Sequence, residues 1–295
     1  MATVDRVAAD GFEPHRRHLT GLAYRMLGSL AEAEDAVQEA YLRWHRTDQA
    51  KVADARAFLS KTVTRLCLDQ LKSARARRES YVGPWLPEPL VEEAGLAAES
   101  AGELAHDLSV ALLLALERLS PLERAAFLLH DVFDMEFAEV AETLGRSEAA
   151  CRQLAARARE HARAARPRFP VRPDEGARLA EAFMAAARSG DAAALGRLLA
   201  TDAALHSDGG GKKRAALNVI HGRDKIAAFF SGLVRKQAAA ITAIRVRPAR
   251  INGLPGFVAV EPDGTVQTIA LEIAGTEIAA IYVVRNPDKL RHVVA

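Results

Sequence analysis

The stretch His206-Ser-Asp-Gly-Gly-Gly-Lys-Lys-Arg214 has the residue types of a phosphate cradle. Three glycines free the backbone to aim several N–H groups at one anion, and the lysines add positive charge. A nucleotide loop of the GxxxxGK[ST] kind, however, needs a glycine five residues before the second glycine and a hydroxyl after the lysine. Here His206 occupies the first position and Lys213 the second, and no parallel βαβ pattern surrounds them. Nucleotide binding is therefore not expected, and composition alone leaves a flexible surface loop. The same part of the chain holds His206, Asp208, His221, Asp224 and Glu272, which could in principle transfer protons. Their spacing is not diagnostic, so no catalytic residue is assigned.

A second chemistry is offered by cations. Lys72-Ser-Ala-Arg75-Ala-Arg77-Arg78 is strongly basic, and further basic residues gather between 146 and 168. A basic helix end can be a solvated tail favoured by the helix dipole. Two basic helices in two separate helical regions instead suit one extended polyanion touched twice. The formal net charge is only +2, with acidic residues grouped at 32–39 and 88–107. That balance points to specific polyanion contacts and away from a chain that binds everything negative.

These clusters are positioned by a chain of 295 residues, long enough for two or three domains. Apolar residues make up 49% and charged residues 26%, ordinary for a soluble globular protein. The two cysteines, Cys67 and Cys151, have neither metal-ligand spacing nor the density of a disulfide scaffold. No metal or cofactor is expected, and the N-terminus lacks a signal-peptide core, which predicts a cytoplasmic protein.

Periodicity predicts helices over 30–46 and about 54–78. Ser29 is expected to cap the first, with Glu32 as its capping-box partner. Residues 79–105 break the pattern: GPWLPEPL has three prolines in six residues and reads as a stiff extended linker. Further on, a helix over about 136–144, the turn Gly145-Arg146-Ser147 and a new helix capped by Ser147 make a helix-turn-helix. Its outward face carries Glu148, Arg152, Gln153, Arg157 and Arg159. The first residues can reach base edges, and Arg157 and Arg159 can reach phosphates. After a proline-rich hinge at 167–173, the chain predicts two helices over 174–200, another over 222–236, and then alternating strands separated by NGLPG, PDG and AGT. Helices followed by an antiparallel sheet give an α+β domain.

The order of these parts resembles a known family. EDAVQEAYLRWHR with FLSKTVTRLCLDQLKSARARRE resembles region 2 of extracytoplasmic-function sigma factors, and LERLSPLERAAFLLHDVFDMEFAEVAETLGRSEAACRQLAARARE resembles their region 4. The remainder looks like a SnoaL-like domain, of the cone-shaped α+β class that includes small cyclases and isomerases. One sigma-factor subfamily with this extension carries the signatures WLPEP, DGGGK and NPDKL, found here at Trp85–Pro89, Asp208–Lys212 and Asn286–Leu290.

The resemblance implies two all-α sigma domains followed by an α+β cone. Region 2 would span 1–80, a linker 81–107, region 4 108–168 and the regulatory domain 174–295. It implies core RNA polymerase and promoter DNA as partners. Core contacts would come from Asp35, Gln38, Glu39, Arg43 and Trp44. Lys61, Arg65, Lys72, Arg75, Arg77 and Arg78 would engage the minus-ten element. Arg146, Ser147, Glu148, Arg152, Gln153, Arg157 and Arg159 would engage the minus-thirty-five element. Many relatives have Asn where this chain has Cys67.

In that subfamily the extension is regulatory and stands in for a separate anti-sigma factor. Trp85, Leu86, Pro87, Glu88 and Pro89 of the linker are then expected to meet Asp208, Gly209, Gly210, Gly211 and Lys212, and Asn286, Pro287, Asp288, Lys289 and Leu290. A small ligand inside the cone is compatible with this. The competing readings are a SnoaL-like isomerase or cyclase fused to a DNA-binding module, and a ligand-sensing helix-turn-helix repressor.

Overall fold

The computed structural model describes residues 11–79, 81–92, 109–163 and 172–293. Part of the acidic linker, from 93, and most of the second proline-rich hinge lie outside the described residues. Two compact units are present, one built from 1–79 with 111–166 and the other from 80–110 with 167–295.

The helical unit opens with α1 (Glu13–Leu27), α2 (Leu30–Arg46) and α3 (Ala55–Glu79). Gly28, at φ 71°, closes α1 by donating its N–H to Tyr24 O. One residue later Ser29 caps α2, its side chain accepting from Glu32 N at 3.3 Å. The three helices bury Leu22, Met26, Val37, Leu59 and Val63 between them. The second half of the unit comprises α4 (Val110–Glu117), α5 (Pro121–Phe127), α6 (Phe137–Leu144) and α7 (Glu148–Arg163). A reciprocal Ser120–Glu123 capping box starts α5, which runs on through a π-helical turn at Leu128–Val132. Gly145 at φ 63° ends α6, and Ser147 Oγ accepts from Ala150 N at 3.2 Å to start α7.

The two halves are joined by a buried arginine. Arg124, 2% exposed, donates one Nη1 to Met26 O at 2.6 Å and to Glu117 Oε1 at 2.7 Å. It thereby satisfies an orphan carbonyl of α1 and a carboxylate of α4 at once.

The second unit contains β1 (Val91–Glu92), α8 (Pro173–Ser189), α9 (Ala192–Leu198), β2 (Leu199–Asp208), β3 (Ile220–His221), α10 (Arg223–Thr242), β4 (Arg245–Ile251), β5 (Leu254–Val260), β6 (Val266–Ala274) and β7 (Glu277–Val284). Strand order is β1-β4-β5-β6-β7-β2-β3. Asn252 and Gly253, at φ 50° and 73°, form the two-residue hairpin between β4 and β5. The sheet is mixed, because β2 runs parallel to β7, so the expected purely antiparallel sheet is corrected. Strand β2 was not visible in the periodicity, since LATDAALHSD begins with small residues that suit a helix equally well. Phe183, Leu195, Leu205, Ile226, Leu271 and Ile281 make the core under the helices.

Two outcomes follow for the helical unit. Arg124→Ala removes the cation from a buried carboxylate and should lower stability by about 3 kcal/mol or more, read as a shifted urea midpoint by circular dichroism. His18, whose Nε2 meets Ser60 Oγ at 3.1 Å, is pushed down to about 4 by burial first and by Arg56 next. Its unfolded value is near 6.5, so the unfolded chain takes the proton first as pH falls. The neutral buried ring should therefore cost stability progressively from about pH 6.5 towards pH 4. His18→Gln should flatten that acid loss between pH 7 and 5.

Candidate DNA-binding faces and linker clasp

Helix α7 presents the expected face. Arg146, Ser147, Glu148, Arg152, Gln153 and Arg157 are exposed, while Cys151, Ala155 and Ala158 turn inward. Arg152 rests against Glu148 at 2.6 Å and over the Phe137 ring at 5.2 Å. An exposed pair of this kind contributes about 0–1 kcal/mol, so the guanidinium can leave it for a base edge at little cost. Arg159 differs: its Nε lies 2.5 Å from Asp131 Oδ1, turned back onto its own fold. As placed, it braces α7 and is not displayed beside Arg157.

Helix α3 carries the other cations. Lys61 pairs with Glu142, and Arg65 donates to Thr143 O at 3.3 Å and Glu142 O at 3.4 Å. Arg65 thereby caps the C-terminal turn of α6, where carbonyls lack helical partners and the dipole favours cations, while Lys61 holds the Glu142 carboxylate beside it. Lys72 is exposed beside Asp69 at 2.8 Å. Arg75, Arg77 and Arg78 continue the helix, and their side chains lie outside the described residues. Cys67 is fully buried, and burial pushes its thiol well above the ordinary range, so that position packs the core.

On α2, Asp35, Gln38, Glu39 and Arg43 are exposed, with Arg43 Nε bonded to Glu39 at 3.0 Å. Trp44 is a correction: only 3% exposed, it packs on Phe58 with ring centroids 5.7 Å apart, so it secures α2 from inside. The apolar group on the open face is Leu42, 40% exposed, which the sequence reading passed over. Its signal was a leucine at a step where the helix repeat calls for a polar residue.

The glycine loop and the linker meet in the second unit. Asp208, with no exposed surface, ends β2. Its Oδ1 accepts from Tyr81 OH at 2.6 Å and Gly210 N at 3.0 Å. Its Oδ2 accepts from Leu86 N at 2.9 Å and Lys289 Nζ at 2.7 Å. Lys289 also donates to Leu86 O and stands 4.3 Å over the Trp85 ring. Asn286 Nδ2 donates to Tyr81 OH at 2.8 Å, and Lys212 pairs with Asp288.

The glycines serve close approach. A Cβ on Gly210, at φ 60°, would lie 2.2 Å from Asn286 Nδ2, and one on Gly209 would lie 2.1 Å from Lys213 O. Gly211 packs against Val82. Beyond the clasp, Leu86, Pro87, Glu88 and Pro89 are buried. His292 reaches Pro89 O at 2.8 Å and Glu88 at 3.1 Å, while Pro287 and Leu290 bracket the turn that carries Lys289. Leu90 and Asn252 exchange hydrogen bonds, and β1 then pairs with β4. Tyr81 and His292 were missed from sequence because neither belongs to a motif. Burial, then the bond to Asp208, raises the Tyr81 phenol above its usual range and keeps it a donor.

Of the proton-transfer candidates, His206 and Glu272 come near one another, each against Tyr282. The sheet's inner face carries Leu205, Ser207, Ile269 and Val283, which line a cavity. His206, Asp208, Glu272 and Tyr282 alternate with them along the strands and so belong to the opposite face. There Tyr282 OH donates to Glu272 at 2.5 Å and His206 stacks on the Tyr282 ring. His221 and Asp224 lie on β3 and α10.

Comparison with known proteins agrees with this architecture. Residues 12–77 match Sigma-70 region 2, residues 109–161 match Sigma-70 region 4, and residues 180–289 match the SnoaL-like domain. The ECF RNA polymerase sigma factor SigJ of Mycobacterium tuberculosis is 41% identical over 292 residues, covering 94% of this chain and 91% of its own. A probable ECF RNA polymerase sigma factor, SigI of the same species, is 32% identical over 98% of this chain and 97% of its own. The crystal structure of M. tuberculosis SigJ superposes with a TM-score of 0.78, at 38% identity, over 96% of this chain and 98% of that one. The helical regions and the cone thus define a sigma-70-type protein with a SnoaL-like extension. The chain belongs to the ECF RNA polymerase sigma factors.

Asp208→Asn should loosen the clasp, since it leaves Lys289 partly buried without its counter-charge, a change that costs about 3–5 kcal/mol in such settings. Limited proteolysis of the full chain should then cut between Tyr81 and Leu90 at least tenfold faster, with Trp85 emission shifted to the red. Gly210→Ala should act in the same direction.

Proposed function

We propose that this sigma factor directs core RNA polymerase to its promoters in the cytoplasm and is controlled in cis by the hold of its C-terminal domain on residues 81–92. The observation that carries the control is the coordination of Asp208 by Tyr81, Leu86 and Lys289. Residues 81–92 belong to the segment that connects region 2 to region 4. Fixing them limits how the two regions can be spaced along DNA.

The outer face of α2, with Asp35, Gln38, Glu39, Leu42 and Arg43, serves as the core-polymerase contact. Its polar rim around one exposed leucine suits a docking surface. Glu148, Arg152 and Gln153 read the minus-thirty-five element in the major groove, with Arg146, Ser147 and Arg157 on the backbone. The cations of α3, from Lys61 to Arg78, hold the melted minus-ten strand. Lys61 and Arg65 must first leave α6, and exposed contacts of that kind yield easily. No catalytic role is assigned to the SnoaL-like domain, in which His206 and Glu272 stand on the sheet face away from the cavity.

Run-off transcription with purified core polymerase tests the reading. The full chain should give a promoter-specific transcript, and Arg152→Ala with Gln153→Ala should reduce it by about tenfold or more, as expected for lost base contacts. Asp208→Asn should change transcript yield while helical content and promoter choice stay fixed. An unchanged yield, with the linker shown by proteolysis to be free, would remove the control from the account.

A further inference from the structure

The C-terminal domain encloses a cavity of about 630 Å³ between α8, α10 and the inner face of the sheet. That volume falls in the range of small-molecule sites and far exceeds the voids of a packed core. Its wall is apolar, formed by residues such as Phe183, Met184, Phe229, Phe230, Leu233 and Ile269. Met184, Phe229, Phe230 and Ile269 pack against the core yet remain only partly buried, because the rest of their surface faces the hollow. Such surface is stabilised when something apolar covers it.

The rim has a different chemistry. Five cations, Arg188, Lys212, Lys213, Arg214 and Arg285, face two carboxylates, Glu261 and Asp263. Arg285 donates to Arg214 O at 2.7 Å and to Glu261, but its Nε is buried with no acceptor. The Arg214 guanidinium is exposed and has no partner among the described residues. A buried N–H without an acceptor is an unstable arrangement, which a turn of the Arg285 guanidinium towards an oxyanion at the rim would relieve.

We propose that this cavity binds an apolar organic anion, its hydrocarbon or aromatic body against the phenylalanines and its acid group on Arg285 and Arg214. The rim belongs to the loop that starts at Asp208: Gly209 O accepts from Lys212 N at 3.0 Å and from Lys213 N at 3.1 Å. Lys212 in turn pairs with Asp288, next to Lys289. An anion drawing on these cations pulls on the groups that hold residues 81–92. This consequence for the linker rests on the control proposed above, whereas the site itself does not.

The test is calorimetric titration of the full chain with decanoate, 1-decanol and decyltrimethylammonium. Decanoate should bind saturably at one site per chain, and decanol about tenfold or more weaker, the margin of a charge-assisted bond. Arg285→Gln should bring decanoate to the level of decanol and leave decanol unchanged. Arg214→Gln, at an exposed position that cannot upset folding, should act in the same direction. Absence of saturable binding by all three probes overturns the proposal. So does equal binding of decanoate and decanol that neither variant alters. Trp85 emission, taken as the difference between the chain and its Trp85→Phe form, should shift as decanoate saturates. Binding without that shift would retain the site and overturn its link to the linker. Neither result depends on whether the chain transcribes.

Discussion

A carboxylate with no exposed surface governs the second unit. Placing an ionised group out of water costs several kcal/mol unless its oxygens are fully engaged. Asp208 is stable there only because four donors converge on it, from Tyr81, Leu86, Gly210 and Lys289. Those donors are far apart in the chain, so the burial of one side chain fixes a linker, a glycine loop and a C-terminal turn together. The need for close approach then sets the neighbours. Gly209 and Gly210 have no room for a Cβ, and Asn286 fills the space against Tyr81. The loop that resembles a phosphate cradle is occupied by a protein segment, and its lysines are directed at Asp288 and Asp263 while its own Asp208 takes the charge of Lys289.

The helical unit is held on different terms. A deep polar contact of that unit is Arg124 on Met26 O and Glu117. The contacts of the prospective DNA-binding cations are exposed, whether Lys61 with Glu142 or Arg152 with Glu148. Exposed pairs contribute about 0–1 kcal/mol and weaken with salt, whereas breaking a buried pair costs about 3–5 kcal/mol. The cations are thus held loosely enough to exchange partners, and the residues that keep the helices folded are not among them. Leu42 fits the same division: it is left outside the core while Trp44, two residues on, is inside it.

Much of this was legible in the sequence, for physical reasons that differ by element. Helices α2, α6 and α7 were readable because the 3.6-residue repeat, Ser29, Gly145 and Ser147 all point to one answer. Strands β4 to β7 were readable from alternation and from turns such as Asn252-Gly253. Strand β2 was not, because its small residues carry no period and its placement parallel to β7 depends on the whole sheet. The three signatures named most of the clasp through family resemblance, but Tyr81 and His292 lie outside them and show only as partners in space. Trp44 was misplaced because one aromatic on an amphipathic helix reads equally as an anchor for a partner or as core. The cavity rim was invisible too, since Lys212, Arg214 and Arg285 come together only when β7 ends beside the loop.

Holding the linker in cis has a quantitative advantage over an independent inhibitor. A segment carried on the same chain as its binding surface experiences an effective concentration set by the connecting chain, whatever the abundance of the protein. Under the proposed control, a clasp worth about 4 kcal/mol would leave roughly one molecule in a thousand open at rest. Polymerase, promoter or a cavity ligand then need not destroy the clasp. Each has only to bind the open form more tightly than the closed one, and their differential affinities multiply. An amphiphile that competes for Lys212 acts on the closed form at a weak point, the half-exposed pair with Asp288 beside the buried carboxylate. The buried pair of Asp208 and Lys289 gives the closed state its definition, and the exposed pairs around it give the state its reversibility.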